Sequence, residues 1–212
     1  MGITERRERE REEVRKKILD AARDLFMTEG YERVTMRRIA DAIEYSPTAI
    51  YLHFEDKDDL VRALCHQDFG RLLAAMEKEA PPTDPIEWLR QLGRAYARFA
   101  LENPNHYRFM FMSPMKPEHK PEPTDPGHQS YEVLRASVAR AIESGALRPG
   151  DPDTTSQVLW ANIHGAVALL ITMRPDCWPR PPAKDLVEQT IEAGIRAFAA
   201  TPASASSPVD GR

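Results

Sequence analysis

Residues 35–61 read TMRRIADAIEYSPTAIYLHFEDKDDLV, and two helix starts are written into them. Thr35 can cap a helix over 35–43 that carries Met36, Ile39, Ala40 and Ile43 at helical intervals. Ser46 can cap a second over 47–53, with Pro47 at the first helical position, where a missing N–H costs nothing. Only Glu44–Ser46 separate the two. Two short helices so joined, after a longer one, predict a helix-turn-helix inside a three-helix head. Spacing assigns Ile39, Ala40 and Ile43, with Ala49, Ile50 and Phe54, to a core against Leu25 and Phe26. Pro47, Thr48, Tyr51, Leu52 and His53 are then left on the outside.

That outer face suits duplex DNA. A helix over 47–53 is about 10 Å long and fits a major groove about 12 Å wide. Thr48 offers a hydroxyl and a methyl, while Tyr51 and His53 can donate hydrogen bonds to phosphate. The free N–H groups at the helix starts of Thr35 and Ser46 favour an anion. Lys57 adds a cation in the first turn of the next helix, and Arg37 and Arg38 can reach a nucleic-acid backbone. The plain alternative is a set of ordinary solvent-facing residues on a helical bundle.

Outward from this stretch, helical periodicity dominates and no period-2 strand run appears. A helix over 8–29 carries Val14, Ile18, Ala22, Leu25 and Phe26 as an apolar stripe, and Gly30 stands in the position of a left-handed cap. Before it, the Arg/Glu alternation of MGITERREREREEVRKK reads as a solvated helix start. Asp56 opens a helix running to about 79 with Leu60, Leu64, Leu72, Leu73 and Met76. After a break at APPTDP (80–85), further helices are expected at 85–102, 104–112, 128–145, 152–174 and 183–200. A polar, Pro-rich loop (113–127) and the tail TPASASSPVDGR (201–212) are expected to be mobile and disordered. The fold expected is all-α: a helix-turn-helix head (1–56), a larger helical bundle (57–200) and the tail (201–212).

Composition excludes several classes. The 212 residues, 42% of them apolar, can bury a real core, yet no run of about 18 apolar residues exists to span a membrane. The charged amino terminus lacks the apolar segment of a secretory signal. Cys65 and Cys177 are too few for a disulfide framework, so a reduced, cytoplasmic protein is expected. The net charge is −4, and residues 1–64 hold 13 Lys+Arg against 15 Asp+Glu. This argues against a non-specific electrostatic binder and leaves a specific one, whose contacts depend on local donors. No GxSxG, HExxH, Walker loop or GxGxxG is present, so neither catalysis nor a cofactor is expected. His106, His119 and His128 flank the Pro-rich loop with no metal-ligand spacing, and read as exposed loop histidines.

The segment 35–61 resembles the DNA-binding signature of the TetR family of bacterial transcriptional regulators, and ILDAARDLFMTEGYERV (18–34) resembles its first helix and glycine-aromatic turn. The likeness spans about 50 residues and rests on Ala22, Phe26, Gly30, Tyr31, Thr35, Ile39, Ala40, Ser46, Ile50, Tyr51, Phe54 and Lys57. It implies that Thr35 and Lys57 clamp phosphates, while Ser46–Thr48 and Tyr51–His53 face the groove. The family turn often reads Gly-Val before the serine, and here it is Glu44-Tyr45. Glu44 must therefore accept the turn's backbone angles, at a modest strain cost if φ is positive, and it brings a negative charge near DNA.

The last two expected helices carry apolar surface on more than one face. Trp160, His164, Val167 and Ile171 form one stripe, and the small residues Ala161, Gly165, Ala168 and Thr172 a second. Helix 183–200 adds Val187, Ile191, Gly194, Ile195 and Phe198, with Ala193 and Ala197 small. Such surfaces need a partner, either within the chain or in a second copy. The resemblance implies a homodimer through these helices, which presents two heads to half-sites about 34 Å or a multiple apart. WANIHG (160–165) is also similar to a Trp-x-x-x-His-Gly element of one carboxy-terminal subgroup.

An apolar pocket is expected in the bundle, from Trp88, Tyr96, Phe99, Tyr107, Met110 and Phe111 on WLRQLGRAYARFALENPNHYRFMFM (88–112), with Trp160 and His164. Aromatics and methionines at this spacing also serve plain core packing, and a lone histidine on an apolar face is often only hydrogen-bonded. The resemblance, together with this layout, implies a repressor released from a palindromic operator when a small, largely apolar molecule shifts helix 57–79 and so the spacing of the heads. The alternatives are a helical enzyme or carrier with an incidental head, an activator, or an architectural DNA binder.

Overall fold

A computed structural model describes residues 2–78, 81–112, 122–180, 182 and 185–200. The chain order is α1 (Ile3–Glu29), α2 (Met36–Ala42), α3 (Pro47–Tyr51), α4 (Lys57–Met76), α5 (Pro85–Glu102), α6 (Pro104–Met112), α7 (Pro126–Glu143), α8 (Pro152–Thr172) and α9 (Leu186–Phe198). Among the described residues the fold is all-α; the one extended pairing is an isolated bridge between Leu147 and Ala199. The tail 201–212, most of the Pro-rich loop with His119, and residues 183–184 at the expected start of the last helix lie outside the described residues.

Helix starts follow the capping chemistry. Pro47, Pro85, Pro104, Pro126 and Pro152 each occupy the first residue of a helix, the position where proline's fixed φ helps and its absent donor costs nothing. Asp56 and Asp151 accept the N–H groups of Asp59 and Thr154 at 2.7 and 2.9 Å. Pro126 therefore starts α7 two residues before the expected 128, inside the stretch read as loop. The other end is set by Gly145, whose φ of +76° turns the chain so that Leu147 N–H returns to the Ala141 carbonyl. Helix α1 begins at Ile3 rather than 8. Gly2 N–H donates to Glu5 (2.9 Å) and Arg6 pairs with Glu10 (2.8 Å), and such pairs support exposed helical turns. Gly30 ends α1 with φ +84° and ψ 148°. Its φ is positive, as a left-handed cap requires, but ψ is extended, a combination open essentially to glycine alone.

The chain forms two compact units: Met1–Lys78 with Arg98–Ser130, and Glu79–Ala97 with Tyr131–Arg212. This division differs from the boundary expected at 56/57, because α4 and α6 pack with the head. The core of the first unit unites Ile18, Ala22 and Phe26 of α1, Ile39 of α2, Ile50 of α3, Leu60 and Leu64 of α4, and Phe109 of α6. Phe109 stacks on Phe26 at 5.9 Å between ring centroids.

One buried charge cluster fastens three of these helices. Asp68 of α4 is fully buried and accepts from Arg23 of α1 twice, at 2.9 and 3.2 Å. It accepts again from His106 Nδ1 of α6 at 2.8 Å. Asp20 and Gln67 supply further acceptors for Arg23, at 3.1 and 3.3 Å. His106 is thus a half-buried helical residue held by a carboxylate, not an exposed loop histidine, because the helix starting at Pro104 turns it inward.

In the second unit, α5 is tied to α9 by Arg90–Glu192 (2.6 Å) and Arg94–Glu188 (3.0 Å). Helices α8 and α9 pack closely at Gly194, where an added Cβ would stand 2.9 Å from Asn162 Nδ2 and 3.1 Å from Leu159. Gly165 on α8 is different: a Cβ there meets nothing within 4 Å.

Candidate nucleic-acid interface

The site begins with the two caps. Thr35 Oγ1 accepts the Arg38 N–H at 3.1 Å, and Ser46 Oγ accepts the Ala49 N–H at 3.2 Å. Between them Glu44 takes φ +59°, the left-handed region that the Glu44-Tyr45 turn was expected to test. Tyr45 N–H closes the turn on the Ala40 carbonyl at 3.0 Å. Ile50 and Phe54, fully buried, then pin α3 to the core, each contributing about 1.5–3 kcal/mol of apolar burial. That anchoring turns the opposite face out. Pro47 and Thr48 are exposed, Tyr51 is 55% exposed and Leu52 71%.

His53 departs from the expectation. It is half-buried, its Nδ1 has no hydrogen-bond partner, and it lies toward Arg11 and Arg15 of α1. Burial first, then those two cations, lower its pKa. The reason is helical spacing: Phe54 N–H still bonds the Ile50 carbonyl at 3.1 Å, so His53 falls one turn after buried Ile50, on the inner side, although the helix proper ends at Tyr51.

The flanking cations divide into committed and uncommitted groups. Arg37 is exposed and makes no ion pair among the described residues. Arg38 is engaged by Glu29 at 2.7 Å, and that carboxylate raises its pKa. Lys57 is half-buried: its Nζ donates to the Tyr31 carbonyl at 2.5 Å and sits 3.8 Å from the centre of the Tyr31 ring. Tyr31 is held in turn by a 2.6 Å hydrogen bond to Asp58, and burial together with that carboxylate pushes its pKa up to about 12. The sequence reading missed Tyr31 as the seat of Lys57; the glycine-aromatic turn was the available signal.

Of the expected pocket residues, Tyr96, Trp160 and His164 come together. Tyr96 Oη lies 2.9 Å from His164 Nδ1 and accepts from Trp160 Nε1 at 3.3 Å. Burial lowers the His164 pKa, and the tautomer of its ring sets which partner donates in the Tyr96–His164 hydrogen bond. Trp88 is buried on α5 of the same unit. Phe99, Tyr107, Met110 and Phe111 belong to the first unit, where Phe111 packs on Tyr107 and on the edge of Phe69. The eight therefore do not form one group within a single unit, because α6 carries its aromatics under α1 and α4. Among the described residues no three His, Cys, Asp or Glu side chains are placed to hold a metal ion, and no helix is long and apolar enough to cross a membrane.

Two family models match the chain. Residues 18–64 match the amino-terminal model described as bacterial regulatory proteins, tetR family, and residues 89–194 match one described as tetracyclin repressor-like, C-terminal domain. The chain belongs to the TetR family. The HTH-type transcriptional repressor AcnR of Corynebacterium glutamicum is 31% identical over 147 residues, 65% of this chain and 71% of that protein. An HTH-type transcriptional repressor of Mycobacterium tuberculosis is 45% identical over 65 residues, 31% of this chain and 35% of that one. Among solved structures, the TetR family transcriptional regulator PfmR from Thermus thermophilus superposes with a TM-score of 0.68 at 27% identity, covering 84% of this chain and 97% of that one. As a TetR family member the protein is a DNA-binding transcriptional regulator, and α3 with its two caps lies inside the segment matched by the amino-terminal model.

Proposed function

We propose that the protein is a repressor that binds a two-fold operator as a homodimer and leaves it when a small, largely apolar molecule enters its carboxy-terminal body. One observation carries the operator reading: Pro47, Thr48, Tyr51 and Leu52 face outward from a helix whose other side is locked into the core. Thr48 and Tyr51 reach base edges, with Leu52 available for the thymine methyl. Arg37 and the helix starts at Thr35 and Ser46 hold phosphates on either side, joined by Lys57. The relatives named as repressors support the sign of regulation.

The dimer reading is supported by α8, which turns Val158, Ala161, Leu169 and Thr172 outward, with Gly165 facing open space. Small side chains at this spacing let a second helix approach closely. A two-fold pair of heads then demands two half-sites at a fixed separation. A guest that changes the separation of the heads opposes operator binding, and the operator opposes the guest to the same degree.

Selection from random duplex DNA tests the proposal. It should return a palindrome, and Thr48→Ala with Tyr51→Ala should lower affinity for it at least tenfold, without changing the helical content. Recovery of no preferred sequence refutes the operator reading. Unchanged operator affinity across a panel of apolar small molecules refutes the inducer reading alone.

A further inference from the structure

The core-facing side of α1 does not end where the core ends. At 3.6 residues per turn, Leu25, Ala22 and Ile18 share one stripe with Arg15, Arg11 and Arg7. Ile18, Ala22 and Leu25 are buried in the head. Arg15, half-buried, lays its guanidinium over the Phe54 ring at 4.7 Å, directly behind the end of α3. Arg11 follows one turn out from Arg15 on the same stripe, and Arg7 one turn further. Beyond Val14 every residue of α1 with a described side chain is exposed, so about 16 Å of helix projects past the head. Arg7 and Arg11 make no ion pair among the described residues, whereas Arg6 on another face is paired with Glu10.

The geometry points to this arm as a second DNA contact: Arg7 and Arg11 bind the phosphate backbone outside the base pairs that α3 reads. The inference rests on the groove-facing reading of α3. The side of the head that packs on α3 is the side from which the arginines emerge, and a duplex seated on α3 continues past its end. Because α1 is one unbroken helix, the burial of Ile18 and Ala22 fixes the direction of the arm, and Arg15 over Phe54 ties it to the end of the reading helix. Glu8 and Glu12 flank the stripe and temper it, which fits a protein of net charge −4 that must not bind DNA everywhere. The contact is blind to sequence and lengthens the site, because phosphate contacts position a protein without reading bases.

The test uses the full-length protein, a duplex recovered by the selection above, and a shortened duplex lacking about 5 base pairs at each end, the length that the arm spans at 3.4 Å per step. The Arg7→Ala/Arg11→Ala variant should bind the long duplex with a salt slope lower by about 3.6 for a dimer, 0.9 for each of four lost phosphate contacts. Between 50 and 200 mM salt the wild type then loses about 100-fold more affinity than the variant. On the shortened duplex the two proteins should behave alike. Glu8→Gln/Glu12→Gln should tighten binding to the long duplex, and Lys16→Ala, on the opposite side of α1, should change little. An unchanged slope in the Arg7→Ala/Arg11→Ala variant, with sequence-selective binding intact, overturns the arm contact and leaves the α3 reading standing. A wild type that selects no sequence overturns both.

Discussion

Removing the carboxylate at position 68 should destabilise the head more than any surface charge change. The Arg23 and Asp68 side chains are 4% and 0% exposed, so the pair sits where solvent screens little. Asp68→Ala deletes three charge-assisted hydrogen bonds, two from Arg23 and one from His106. Breaking one side of a buried pair costs about 3–5 kcal/mol, since the other charge is left uncompensated. Arg23 keeps Asp20 and Gln67, which places the expected cost near the lower end, about 3 kcal/mol. Urea unfolding at equal protein concentration, followed by far-UV circular dichroism, measures it. With a slope of about 2 kcal/mol/M the midpoint should fall by more than 1 M. Arg23→Met/Asp68→Leu should recover most of that loss, because a packed apolar pair of similar volume carries no desolvation penalty. A cost below about 1 kcal/mol for Asp68→Ala, or a double variant as unstable as the sum of its singles, refutes the claim that this cluster holds α1, α4 and α6 together.

Glu44→Gly should raise stability by about 1 kcal/mol, since φ +59° strains a residue with a Cβ, and it should tighten operator binding by removing a carboxylate beside the helix-turn-helix; an unfolding midpoint that falls instead argues against strain at this turn. A maleimide added at neutral pH should label Cys177 and spare Cys65, because Cys177 is exposed while burial and Asp68 raise the Cys65 thiol to about 11. Mass spectrometry of the native and urea-unfolded protein reads the difference, and early labelling of Cys65 contradicts the packing of α4.

The parts legible in the sequence were those governed by local chemistry. Thr35, Ser46 and Asp56 announce their helices through capping, and Pro104 starts α6 at the expected residue. Burial of Ile39, Ile50 and Phe54 follows from apolar spacing alone. What escaped depended on distant partners. Asp68 falls in register with Leu60, Leu64, Leu72 and Met76, four residues apart, and an acid in an apolar row is a sign of a buried charge. Its partners, 45 residues before and 38 after, have no local signature. His53 lies one helical turn after buried Ile50, so its inner position follows from spacing, but the polar imidazole masks that signal. Composition alone does not say under which helices the aromatics of α6 lie, and the structure places Tyr107 and Phe109 in the first unit.

Lys57 shows what prior seating does for a contact still to be made. An ammonium has three protons to give, and the Tyr31 carbonyl takes one while the ring lies against the ammonium itself, 3.8 Å from Nζ. The side chain is held at its tip, with donor capacity left beyond that one hydrogen bond. A free lysine surrenders up to about 2 kcal/mol of rotamer freedom on being immobilised, and here folding has absorbed that loss before any duplex arrives. Tyr31, which the sequence offers only as the aromatic after a glycine, thereby sets how firmly its neighbour can grip an anion.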